Sequence, residues 1–168
     1  MIQIYTAGTQ LLKVRALMIL SLVCALAASW WGWDLFQTQG LRPADGGVLA
    51  PLATRLALGV GVASLGIAFA VGMWVYGRLY VGALQYDQTA QALHFRTIGF
   101  AGSGDMVIAE SDVLGSTYQP GQTFNTDGVS VDAPWIKVAI RGKRLPLILD
   151  AQGSFSDVAL AARLLKAQ

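Results

Sequence analysis

Residues 56–76, LALGVGVASLGIAFAVGMWVY, form an unbroken apolar run free of Asp, Glu, Lys, Arg and His, bracketed by Arg55 and Arg78. A helix of about 20 apolar residues, rising ~1.5 Å per residue, crosses a hydrocarbon core of roughly 30 Å, and a helix satisfies its own backbone there. The run therefore reads as a membrane span. Within it, small residues recur at Gly61, Ser64, Ala68 and Gly72, spacings of three and four that stack them on one helix face. Helices in lipid gain little from apolar burial, so they associate through dispersion contacts between backbones that small side chains allow to approach. The reading predicts a close neighbour on this face, either the chain's own first span or a partner.

Upstream lies a second apolar run, residues 16–33, ALMILSLVCALAASWWGW, preceded by Lys13 and Arg15 and ending in Trp30, Trp31 and Trp33 before Asp34. Basic residues at one end and aromatics at the other frame a bilayer segment, and Trp74 is placed likewise near the end of the later span. A cleavable signal peptide shares the basic residues, apolar core and small ALAAS stretch. The tryptophan belt favours a span. Ser21, Ala25 and Ser29 repeat every four residues here, so a small face on this helix is expected to meet Gly61, Ser64, Ala68 and Gly72 in an antiparallel hairpin.

The connection, residues 34–54, holds Gly40, Pro43, Gly46, Gly47 and Pro51 and reads as an irregular loop. Its charges nearly cancel, Arg42 and Arg55 against Asp34 and Asp45, whereas Lys13, Arg15, Arg78 and Arg96 fall on the other side. The Lys/Arg bias places both termini in the cytoplasm. Residues 1–12 carry no charged side chain and read as a segment along the interface.

Composition agrees with a small membrane protein: 54% of residues are hydrophobic and 13% charged, against about 25% charged in soluble domains. A net charge of +2 without a long Lys/Arg run excludes nucleic acid as the main partner. The lone Cys24 leaves no intrachain disulfide and reads as a packing residue.

From Leu79 onward short runs rich in β-branched and aromatic residues alternate with the turn clusters DQTA, AGSG, PGQTFNTDG and RGKR. Leu93, Phe95 and Thr97 alternate with His94 and Arg96, and Ile136, Val138 and Ile140 with Lys137 and Arg141. One face buried and one wet is the pattern of an antiparallel sheet. After Asp150 the period changes to 3.6. Ser154 or Ser156 is expected to cap a helix with Val158, Ala161, Leu164 and Leu165 as its apolar stripe, Asp157 near its start and Lys166 near its end. The expected fold class is an α+β membrane protein: a two-helix transmembrane hairpin, then an antiparallel β-meander domain of about five or six strands with a C-terminal α-helix. The division runs 1–78 for the N-terminal segment and hairpin, and 79–168 for the soluble domain.

No catalytic constellation assembles. His94 is the single histidine, so no His-based metal cluster forms and no span carries a histidine to ligate haem or chlorophyll. Gly99, Gly102 and Gly104 precede strand-like MVIAE rather than a helix and so read as a turn, not a phosphate loop. Asp112, Asp127 and Asp132 fall in turn-like sequence. Catalytic, cofactor and metal residues are therefore expected to be none. Candidate contact residues are Trp30, Trp31, Trp33 and Trp74 at the membrane interface, and the basic cluster Arg141, Lys143 and Arg144 at a predicted hairpin turn, suited to lipid headgroups or to a solvated edge.

The two-span hairpin, the strand pair LQYDQTAQALHFRTIGF and the later WIKVAIRGKRLPLILDAQGSFSD before a terminal helix resemble the mitochondrial two-span transmembrane assembly factors for cytochrome c oxidase, complex I and ATP synthase. RGKRLPLILDAQGSF resembles the oxidase-factor branch best. The resemblance implies an accessory or assembly role beside a bioenergetic complex. The expected complex is respiratory or photosynthetic, with other membrane subunits, the bilayer and peripheral pigments or lipids as partners. The N-terminal residues show no Arg-rich, acid-poor leader, so the expected location is a bacterial inner membrane, with the mitochondrial inner membrane as the alternative. A self-contained membrane-anchored module that binds lipid headgroups or a peptide strand is the rival function.

Overall fold

The structure is a computed structural model that describes residues 1–41, 46–100, 102–121 and 133–166. Strand β1 (Ile2–Thr6) precedes helices α1 (Gln10–Thr38) and α2 (Leu52–Leu79). Strands β2 (Val81–Asp87), β3 (Ala92–Gly99) and β4 (Gly102–Ala109) follow, then a 3-10 turn (Glu110–Asp112) and β5 (Val113–Gln119). Finally come β6 (Trp135–Ile140), β7 (Leu147–Asp150), β8 (Ser154–Phe155) and helix α3 (Val158–Leu164). The chain forms two compact units, residues 16–75 and residues 1–15 with 76–168.

The first unit holds the paired long helices, both long and apolar enough to cross a membrane. Each continues past its apolar run. Gly40 ends α1 at φ +97°, a conformation that costs glycine least, and Leu41 N–H donates to the Thr38 carbonyl at 2.9 Å. Ala50 N–H then reaches the Gln39 carbonyl at 3.0 Å, so the connection closes on the helix end. Arg42, Pro43 and Asp45 of the expected loop lie outside the described residues. The large side chains turned outward are apolar, among them Leu20, Val23 and Leu26 on α1 and Leu65, Phe69 and Val71 on α2. That is the arrangement lipid requires and water penalises. Cys24 belongs to this outward set, so the packing role expected for it is not the one it has.

The second unit contains two antiparallel sheets, in the orders β4-β3-β2-β1-β8 and β5-β6-β7, rather than one meander. The chain leaves the first sheet after β4, passes through the 3-10 turn and opens the second at β5, and residues 1–6 add a strand to the first. Ile2–Thr6 is a strand between β2 and β8, not a segment along the membrane interface, and residues 1–15 belong with the sheets rather than with the hairpin. A register shift between Gln3 and Tyr5 lets the consecutive residues Ile4 and Tyr5 both turn inward, which hides the period-two signal. Tyr80 bridges Ile148 in parallel where β2 begins, joining the two sheets beside β7.

Most of the expected alternation is present: Leu93, Phe95, Thr97, Val138 and Ile140 are buried and Arg96, Lys137 and Arg141 exposed, while Ile136 and His94 are both half-buried. Turn chemistry also follows the sequence. The Asp87 carboxylate accepts N–H bonds from Thr89 at 2.9 Å and Ala90 at 3.2 Å, and those bonds hold its carboxyl below the usual range. Gly142 takes φ +78° in the RGKR turn. The AGSG cluster is shifted, since residues 102–104 already belong to β4, and most of the PGQTFNTDG cluster, with Asp127 and Asp132, lies outside the described residues.

Helix α3 is capped one residue beyond the later of the two expected serines. Asp157, not Ser154 or Ser156, is the N-cap, its side chain accepting from Leu160 N–H at 2.9 Å. Ser156 is instead spent on β1, its hydroxyl donating to the Gln3 and Ile4 carbonyls. Ala161, Leu164 and Leu165 of the expected stripe are buried, while Val158 stays exposed.

Candidate functional site

The small residues of the hairpin separate into two faces. On α1, Met18, Ser21 and Gly32 are buried and Ala25, Ala28 and Ser29 half-buried. On α2 the facing series is Gly59, Ala63, Gly66 and Ala70. These steps of three and four residues form one seam. A Cβ on Gly59 would stand 2.6 Å from the Gly32 carbonyl oxygen, and one on Gly66 would stand 2.5 Å from Ala28 Cβ and 3.1 Å from Ala25 Cα. The backbones touch at these points, which only glycine permits. Ser21 and Ser29 satisfy their hydroxyls within the helix, donating to Met18 O at 2.7 Å and Ala25 O at 2.8 Å.

Ser21, Ala25 and Ser29 therefore occupy the packing face expected of them, but their expected partners do not. Gly61, Ser64, Ala68 and Gly72 are all exposed, and a Cβ built on Gly61 or Gly72 meets nothing within 4 Å. The reason is register. Gly59, Ala63, Gly66 and Ala70 form a second small stripe on the same helix, and that stripe carries the two glycines whose missing side chains admit α1. The hairpin leaves the first stripe facing outward.

Tryptophans mark the hairpin's ends. Trp30, Trp31 and Trp33 are exposed towards the loop end of α1 and Trp74 towards the far end of α2. At the loop end, Trp33 packs on Phe36 with ring centroids 5.8 Å apart, and the Arg55 guanidinium lies 5.4 Å from the Phe36 ring centroid. Arg55 Nη1 also donates to the Phe36 carbonyl at 3.1 Å, placing a cation among the last carbonyls of α1.

Asp150 organises the sheet unit. Its carboxylate accepts Tyr80 Oη–H at 3.2 Å and Gln152 N–H at 2.8 Å, and its backbone exchanges two 3.1 Å hydrogen bonds with the Tyr5 hydroxyl. Tyr5 stacks on Phe155 at 4.9 Å, and a side chain at Gly153 would collide with the Tyr5 ring. Burial first, then the nearby carboxylate, raises the Tyr80 hydroxyl above the ordinary tyrosine value; burial raises Tyr5 too. Both stay protonated donors. The sequence hides this cluster because Tyr5 falls in a segment that reads as interfacial. The available signal was the hydrophobic LILD run followed by QGSF, a strand ending on an acid beside a glycine.

Arg141, Lys143 and Arg144 are exposed at the β6–β7 turn, with Arg141 pairing Asp112 at 3.6 Å. His94 sits mid-strand in β3 opposite Gln85 and Val107. Among the described residues no group of His, Cys, Asp or Glu is arranged to hold a metal ion. The geometry thus offers surfaces for contact: an outward helix stripe, tryptophan-marked ends and a basic turn.

Comparison with known families supplies the remaining finding. The model of the TMEM70/TMEM186/TMEM223 protein family matches residues 37–165, which takes in α2, strands β2 to β8 and α3 but not β1 or most of α1. A search of curated proteins finds no match.

Proposed function

The chain belongs to the TMEM70/TMEM186/TMEM223 protein family, a family of mitochondrial assembly factors, and from that premise we propose that it is a non-enzymatic accessory or assembly factor of a large bioenergetic membrane complex, respiratory or photosynthetic. The observation that carries the reading is the outward stripe Gly61, Ser64, Ala68 and Gly72. The seam to α1 uses a different stripe, so the outward one is open to the helix of another subunit, whose backbone the small residues let approach. Such a partner would make this protein a lateral attachment. Its tryptophan-marked ends would fix its depth in the bilayer, where pigments or lipids at the complex's periphery would meet Trp30, Trp31, Trp33 and Trp74.

Binding rather than chemistry accounts for the residues on offer. An interface distributes its energy over packed area with a few anchors, whereas catalysis needs a proton-transferring or nucleophilic group held beside its partners. Lys13, Arg15, Arg78 and Arg96 outweigh Arg42 and Arg55 across the span ends, which favours termini and sheet unit on the cytoplasmic side of a bacterial inner membrane. The test is a photo-reactive side chain at Ser64 or Ala68 in intact membranes, with Ala63 on the seam as control. Adducts from Ser64 and Ala68 with a subunit of one membrane complex, and intrachain adducts from Ala63, are expected. Adducts from all three confined to this chain and lipid would contradict the proposal.

A further inference from the structure

We propose that the outer face of the three-stranded sheet is a groove that binds an anionic phospholipid from the bilayer surface. The antiparallel register sets Thr117, Lys137 and Ile148 abreast, with Gln119, Trp135 and Asp150 as the next row on the same face. Ser116, Val138 and Leu147 point the other way, into the core. Two open cavities of about 400 Å³ each lie on the outer face and share Lys137. One is walled by carbon-rich groups of Tyr76, Tyr80, Trp135 and Ile148, the other by Thr117, Pro146, Lys143 and Arg144. An apolar trough therefore opens into a basic one.

Two observations choose the occupant. Tyr76 is the last residue of the apolar run 56–76 and also a wall of the groove, so the groove is tied by the chain itself to the end of a membrane-spanning run, where tyrosine and tryptophan meet headgroups. Its charge is complementary to that surface. Lys137, Lys143 and Arg144 are exposed and form no ion pair among the described residues, whereas neighbouring Arg141 is held by Asp112. Among the described residues the acid on this face is Asp150, which is engaged by Tyr80 and Gln152. An acyl chain fits the aromatic end and a phosphate the cationic end.

The inference does not depend on the assembly-factor reading, and its test leaves α2 untouched. The full chain in detergent is titrated with dioctanoyl phosphatidylglycerol and, separately, dioctanoyl phosphatidylcholine, and bound lipid is counted by native mass spectrometry. Phosphatidylglycerol is expected to bind at least about tenfold more tightly, a preference abolished in Lys137→Gln/Lys143→Gln/Arg144→Gln and reduced about threefold in Lys137→Gln alone, both variants melting as the parent does. If the triple variant fails to fold, the single variant decides. Equal binding of the two lipids, or a preference that survives the substitutions, overturns the proposal. So does a photo-reactive side chain at Thr117 that captures protein and never lipid in membranes, which would assign the groove to an acidic segment of a partner.

Discussion

In the hairpin the two helices meet at Gly32, Gly59 and Gly66, where a single added carbon collides with the opposite helix. In the sheet unit the fully buried positions are filled by Tyr5, Tyr80, Phe95, Leu84 and Leu93. The contrast follows from the solvent each unit is built for. Water rewards burial of large apolar side chains, so the sheets close over bulk. Lipid gives no such reward, so the helices gain from contact itself, which is greatest where nothing stands between the backbones. Removing atoms should harm one unit and adding them should harm the other.

The largest effect expected is on the sheet unit. Phe95→Ala empties a fully buried position and should cost about 3–5 kcal/mol in thermal or denaturant unfolding of the detergent-solubilised protein. A small loss would mean that bulk does not hold this unit. Next comes the converse in the hairpin. Gly66→Leu drives a side chain into Ala28 and Ala25 and should destabilise the helix pair by about 1–3 kcal/mol, read as a lower temperature of aggregation or greater protease access to the connecting loop.

Tyr5 sharpens the comparison because it joins bulk to polarity. Tyr5→Phe leaves the ring stacked on Phe155 but removes the hydroxyl from the Asp150 backbone, at a cost of about 1–2 kcal/mol. Its pKa is raised in the folded state above the ordinary 10.0. Its contribution is therefore complete below that value and is lost as pH rises through it towards the folded pKa, because the unfolded phenol ionises first. Melting curves across about pH 9 to 11 should fall for the parent and fall less for Tyr5→Phe. Asp157→Ala, which unties Leu160 N–H at the start of α3, should cost about 1 kcal/mol by the same measurement.

Much of this contrast was legible in the sequence, and the failures have physical causes. Long charge-free runs dictate membrane helices because lipid offers the backbone no alternative partner, so both spans could be read from residues 16–33 and 56–76. Alternation at Leu93 to Thr97 and at Val138 and Ile140 likewise named one buried face. Strand β1 was hidden because five residues with a register shift carry no clean period, and its partners β2 and β8 lie some 80 and 150 residues away in the sequence. The helix seam failed differently. Two stripes of small residues occupy α2, and composition alone does not rank them; the choice depends on which stripe meets Gly32 and Ala28 on the opposing helix. The Tyr5, Tyr80 and Asp150 cluster depended on that missing strand.

The open stripe is the centre of the functional account, and one measurement addresses it most directly. Affinity purification of tagged Gly61→Leu/Gly72→Leu from native membranes, beside the parent and Gly66→Leu, separates docking from hairpin integrity by quantitative mass spectrometry of the co-purifying subunits. The double variant adds side chains where nothing lies within 4 Å, so it should melt like the parent yet recover at least about tenfold less of the partner complex. Parental recovery of the partner by a stably folded Gly61→Leu/Gly72→Leu protein would contradict the account.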